Sequence, residues 1–244
     1  MDVQGKTALV TGSAKRIGRS IALTLAGEGM NLLLHYHHSQ REVRDTQKQA
    51  ERLGVRVFAI QADLGKFAGV QRLIRKAFQR VRQIHVLINN ASIFYKTPVG
   101  KVREKDWDPF FDINLKAPFF LAQAVGVRMK QQGEGKIINI IDWTAFRPYS
   151  QYLPYCASKA GLVAVTQGLA KVLAPQVQVN GVAPGPILPA RGSKPAEMRK
   201  VATHTPLKRF GEPSDIAEAV RFLVKSGDFI TGTILPVDGG NLVA

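Results

Sequence analysis

Lys6-Thr7-Ala8-Leu9-Val10-Thr11-Gly12-Ser13-Ala14-Lys15-Arg16-Ile17-Gly18 is the stretch whose reading decides the fold. It begins as a short run of β-branched and aliphatic residues, turns at glycine, and enters a helical stretch over 17–28. Glycine at 12 and 18 permits a tight turn and brings a helix N-terminus close to an anion, whose charge the free N–H groups of the first turn attract.

Outward from this unit, strand-like runs recur at 31–36, 55–60, 84–89, 136–141, 177–182 and 233–237, with helical stretches at 40–53, 70–81 and 157–173. Seven strands joined by crossover helices predict a parallel sheet covered on both faces, an α/β doubly wound fold of the Rossmann type. Its ligands are expected beyond the carboxyl ends of the strands. The 244 residues, 45% apolar and 21% charged, suit one domain over 1–244. The Pro/Gly-rich stretch 184–195 is read as an active-site loop, part of a substrate loop near 184–204.

The net charge is +16, from 34 Lys and Arg against 18 Asp and Glu. Such a surplus suits nucleic acid, anionic membranes or steering of anionic ligands. Because the cations are spread over helices, for example Arg72, Arg75, Lys76 and Arg80, without interleaved aromatics, a solvated surface is the preferred reading and nucleic acid the minor one. No stretch is long and apolar enough for a bilayer, so a soluble cytoplasmic protein without a membrane partner is expected. The lone Cys156 reads as a packing residue.

Asp142 precedes Tyr155 by thirteen residues, and Lys159 follows Tyr155 by one helical turn. Phenol and ammonium can therefore share a helix face, where the cation is expected to make the phenol a stronger acid. Thr11-Gly12, Asn89-Asn90-Ala91, Asn114 and Asn180-Gly181-Val182-Ala183-Pro184-Gly185 supply the context. Together these motifs resemble the short-chain dehydrogenase/reductase family over essentially the whole chain.

The resemblance implies a nicotinamide dinucleotide along Gly12, Arg16, Ile17 and Gly18, then Tyr36, His37, His38 and Ser39, Asp63 and Leu64, and Asn90, Ala91 and Ser92. Tyr155, Lys159, Gly185 and Ile187 complete that set. Arg16 stands where the family has a third glycine; it is either merely exposed or paired with an additional phosphate, which its planar fork suits. No carboxylate follows the second strand to repel a 2′-phosphate, so NADPH is the expected cofactor. A metal held by His35, His37 and His38 is disfavoured, since alternate strand positions splay the rings and no other ligand accompanies them. Asp63 is expected to meet the adenine, with a helix N-cap as its plain structural reading.

Four departures, Arg16, His35 to Ser39, Asn90 to Tyr95 and Asp142 in place of the family serine, resemble the pteridine reductase branch, which includes dihydromonapterin and dihydrofolate reductases of this fold. That resemblance implies catalytic Asp142, Tyr155, Lys159 and Asn114, and a pterin or folate held by Arg16, Ser92, Phe94, Asp142 and Tyr155. Asn114 would hold a water in the proton path, and paired helices would build a homotetramer. His38 departs from an arginine found in some of these enzymes. The alternatives are a generic carbonyl or 3-oxoacyl reductase, in which aspartate does the work of serine, and a non-catalytic basic binding protein on the same fold.

Overall fold

The computed structural model describes residues 1–188 and 195–244, without the side chains of 195–198 and 200. Seven strands form one sheet: β1 (Thr7–Val10), β2 (Asn31–Tyr36), β3 (Val57–Gln61), β4 (Val86–Asn89), β5 (Gly135–Ile140), β6 (Val177–Pro184) and β7 (Ile234–Val237). Their order is β3-β2-β1-β4-β5-β6-β7, and every pairing is parallel. All residues of β1, β4 and β5 are buried. Burial on both faces is why these runs are nearly continuous in apolar residues rather than alternating.

Alternate side chains feed two cores. On one face, Ala8, Val10, Leu32, Leu34, Ile138 and Ile140 pack with α1 (Arg16–Gly27), α2 (Gln40–Glu51) and α8 (Pro213–Lys225). On the other, Leu9, Leu33, Leu87, Ile137 and Val179 pack with α3 (Phe67–Arg80), α5 (Ala117–Gln132) and α6 (Leu153–Leu173). α4 (Glu104–Phe111) continues through a π-helical turn, Asp112–Lys116, directly into α5. α7 (Pro195–His204) lies between β6 and α8. Among the described residues no helix is long and apolar enough to cross a membrane.

The seven strands lie where the sequence places them, within two residues at each end. The helix expected over 157–173 starts earlier, at Leu153, with Pro154 in its first turn, so Tyr155 is already helical. Within the expected substrate loop 184–204, residues 189–194 lie outside the described residues and α7 occupies the end.

Strand order reverses between β1 and β4, which opens the cleft. Gly12 has φ +64°, and a Cβ on Gly18 would sit 2.3 Å from the Gly12 carbonyl oxygen and 2.4 Å from Asn90 Nδ2. Gly18 is therefore required for helix and turn to close. Gly18→Ala should lower the unfolding free energy by about 1–3 kcal/mol, measurable by denaturant titration.

Candidate active site and cofactor cleft

Thr11, at the end of β1, links the two halves of the cleft. Its Oγ1 donates to Ile88 O at 3.2 Å and accepts the N–H groups of Asn90 at 2.9 Å and Ala91 at 3.0 Å. Asn90 Nδ2 answers with bonds to Thr11 O at 2.8 Å and Gly12 O at 3.2 Å. The turn 11–18 and the segment after β4 are thus one hydrogen-bonded unit. Lys15 caps α1 without a side-chain hydrogen bond, and no acidic residue occupies the first turn. The N–H groups of that turn point beyond the strand ends, a donor set that fits a pyrophosphate.

Arg16 begins α1 at φ +56°, a left-handed conformation that costs a non-glycine residue about 1–2 kcal/mol. Its side chain is exposed. Beyond β2, His37 and His38 are exposed with ring centroids 3.6 Å apart, and Ser39 starts α2. His35 points elsewhere, buried between Gly12 and Ala62. The three histidines therefore do not converge. Asp63 is no helix cap: Oδ1 accepts Gly65 N–H at 3.0 Å in a local turn, while Lys66 caps α3. Its carboxylate lies 3.9 Å from His37 Nε2 and 3.8 Å from Lys66 Nζ, at the edge of the cleft. Leu64 is core.

Asp142 leaves β5 and caps a single 3-10 turn, Trp143–Ala145. Oδ1 accepts from Thr144 N at 2.9 Å and Thr144 Oγ1 at 2.7 Å, which leaves Oδ2 to accept the Tyr155 hydroxyl at 2.8 Å. Thr144, which the sequence reading passed over, fixes the carboxylate; the Asp-x-Thr pattern of a side-chain turn was the available signal. Burial raises the Asp142 pKa, while bonds from Thr144 and Tyr155 and the charge of Lys159 oppose the rise. Burial, then the Asp142 charge and hydrogen bond, raise the Tyr155 phenol well above its usual value.

The expected acidification of the phenol by Lys159 is thereby corrected. The Lys159 ammonium donates to Ile140 O at 2.8 Å and stands 5.8 Å from the phenol ring centroid, so Asp142 dominates the hydroxyl. Burial also pulls Lys159 down to about 8. Asn114, in the π-helical turn, spends its side chain on protein partners: it donates to Ile93 O and Ser158 Oγ, each at 3.2 Å, and accepts from Ser92 Oγ and Ile93 N, each at 3.0 Å. It thus anchors the segment after β4 to α6.

The exposed Phe94 stacks on Tyr152, with centroids 4.5 Å apart and planes within 3°, and meets Tyr155 edge-on at 4.8 Å. An aromatic surface therefore borders the acid–phenol pair. Cys156 is buried beside Tyr155 and Phe110. Gly185 closes the cleft after β6, donating to Val237 O at 2.9 Å, and a Cβ there would lie 2.4 Å from Asp238 Cα. The Ile187 side chain is turned into the core, so only its backbone can face a ligand.

Asp142, Tyr155 and Lys159 thus converge at the carboxyl ends of the strands, beside a helix N-terminus built for phosphate. A family model described as enoyl-(acyl carrier protein) reductase matches residues 12–241. The chain belongs to the short-chain dehydrogenase/reductase family. It is 37% identical over 239 residues to the 3-oxoacyl-[acyl-carrier-protein] reductase of Staphylococcus epidermidis, covering 96% of this chain and 98% of that one. A structure described as a short-chain alcohol dehydrogenase from Sinorhizobium meliloti superposes with a TM-score of 0.94 at 32% identity, over 100% of this chain and 98% of its own. A blue fluorescent protein from a metagenomic library, in complex with NADPH, gives 0.92 at 34% identity over 100% of both chains. None of these names concerns a pterin. The family expectation is met, whereas its narrowing to the pteridine reductase branch finds no support among these relatives.

Two outcomes test the local geometry. Arg16→Gly should raise the unfolding free energy by about 1 kcal/mol, because glycine removes the left-handed strain, as thermal and chemical unfolding would report. Asp142→Asn should bring the Tyr155 phenol down toward its ordinary value, since a neighbouring negative charge is lost while burial persists. Tyrosinate absorbance, differenced against Tyr155→Phe, reads that shift.

Proposed function

We propose that this chain is an NADPH-dependent reductase acting on the conjugated C=N bond of a flat bicyclic substrate, a dihydropterin or dihydrofolate. NADPH supplies a hydride when bound. The uncapped start of α1 with Gly12 and Gly18 receives the pyrophosphate, and Arg16 with His37, His38 and Ser39 offers donors to a 2′-phosphate. Lys159 and Tyr155 orient the ribose beside the reacting ring. Neighbours of this fold that carry the same cofactor support the assignment.

The observation that carries the substrate reading is the Tyr155 hydroxyl donating to Asp142 Oδ2 at 2.8 Å. A family serine would donate to a substrate carbonyl; an aspartate held by Thr144 instead accepts from the phenol. A carboxylate there opposes negative charge growing on a ketone oxygen, but favours a ring nitrogen that gains a proton. The pair delivers that proton: Tyr155 passes its hydrogen to nitrogen, and Asp142, whose pKa burial raises, takes up a proton from solvent and returns it to the phenolate. Phe94 offers the face on which a bicyclic ring stacks. Exposed Val127 on α5 and Val172 on α6 fit the paired-helix contacts of a homotetramer.

A second reading has its own support. Near-complete alignment with 3-oxoacyl-[acyl-carrier-protein] reductases at 37% identity favours a 3-oxoacyl thioester, with Asp142 standing in for serine. NADPH oxidation measured in parallel with dihydrobiopterin, dihydrofolate and a 3-oxoacyl thioester separates the two. Turnover of the pterin with loss of most kcat in both Asp142→Asn and Asp142→Ser is expected, with NADPH affinity nearly kept. Thioester turnover that Asp142→Ser preserves or improves would move the assignment to the second reading. Phe94→Ala should raise the pterin KM by about 1–3 kcal/mol equivalent without altering the KM for NADPH.

A further inference from the structure

The His35 side chain joins the ends of three strands beneath the phosphate-binding turn. It lies in β2, buried, with its ring between β1 and the end of β3. Nδ1 faces the Gly12 N–H at 3.1 Å, and Nε2 faces Ala62 O at 3.1 Å. Its main-chain carbonyl accepts from Ser13 N at 3.0 Å and Ser13 Oγ at 3.2 Å. Gly12 and Ser13 of the turn, and the residue before Asp63, are therefore held by His35.

These partners fix the ring's protonation. Gly12 can only donate, so Nδ1 must carry a lone pair; Ala62 O can only accept, so Nε2 must carry the hydrogen. The neutral Nε2–H tautomer satisfies both at once. An imidazolium would set a second N–H against the Gly12 N–H, and the turn would have to move. The titratable groups acting on the ring are His37, just beyond β2, and Asp63, beyond β3; the β1 side presents uncharged Gly12 and Ser13.

We propose that His35 is the positioning residue of the phosphate-binding turn, and that the turn keeps its cofactor-receiving shape only while this imidazole is neutral. Acid then acts on cofactor affinity from beneath the site, through a residue that touches no ligand. Burial holds the ring at about 4, against an ordinary value of 6.5. The sign follows: an unfolded chain takes up this proton first, so fold stability weakens as the pH falls from 6.5 towards 4, and the folded turn itself loosens as the pH passes about 4.

The proposal rests on the NADPH reading, so its test has one arm without cofactor. In the cofactor-free protein, amide hydrogen exchange at Gly12 and Ser13 should be at least about tenfold faster in His35→Leu than in wild type at one pH; equal exchange overturns the proposal whether or not NADPH binds. With cofactor, dissociation constants for NADPH and NADH are read by cofactor fluorescence from about pH 8 down to about pH 4. His35→Leu should bind NADPH at least about tenfold more weakly at the upper end, with the second substrate's KM little changed. His35→Asn keeps an acceptor near the Nδ1 position but cannot take a proton, so it should bind nearly as wild type at high pH and lose less affinity in acid. Because NADH lacks the 2′-phosphate, a fall shared by both cofactors separates His35 from titration around His37 and His38. An acid profile of His35→Asn identical to wild type overturns the proposal, even if His35→Leu fails to fold. Wild type that binds neither cofactor at any pH, with fast exchange in His35→Leu, would sink the cofactor reading and leave His35 as the turn's anchor.

Discussion

The site depends on one constraint: two strands distant in sequence must present their carboxyl ends side by side while their crossovers leave in opposite directions. Thr11 meets it with a single hydroxyl that binds across from β1 to the residues following β4. With that bond in place, the glycine turn, Asn90 and the start of α1 become one rigid edge of the cleft. Anions are attracted there by backbone dipoles that the fold leaves unpaired.

The opposite edge works by burial. Removing Asp142, Tyr155 and Lys159 from water raises the acid and the phenol and lowers the amine to about 8, so Asp142 and Lys159 move toward each other while the phenol holds its proton more tightly than in solution. The price is that each needs a fixed partner, supplied by Thr144, Asp142 and Ile140 respectively.

Much of this was legible in the chain. Strand and helix periods gave the sheet, and residue spacing put Tyr155 and Lys159 on one face. What stayed hidden were interactions set by tertiary placement. His35 read only as a disfavoured metal ligand and received no other role, because sequence shows neighbours along a strand, not the strand across from it. Asn114 read as a water holder, whereas its amide is wholly spent on the segment after β4 and on α6. Lys159 read as the group that governs the phenol, since a four-residue spacing reveals proximity but not which carbonyl claims the ammonium. Asp142 could be located from its distance to Tyr155, but its orientation came from Thr144, two residues on.

The π-helical turn at Asp112–Lys116 has a consequence for how this protein can change. It holds one residue more per turn than the α4 and α5 helices on either side, and that surplus is what turns Asn114 inward. Point substitutions leave the surplus in place. A single-residue deletion anywhere in it would let the segment relax into one regular helix, rotating everything upstream by about 100° and carrying Asn114 away from Ile93 and Ser158. Here chain length guards the cleft together with Asn114, so lineages of this fold should tolerate varied side chains around Asn114 in this turn yet reject any shortening of it.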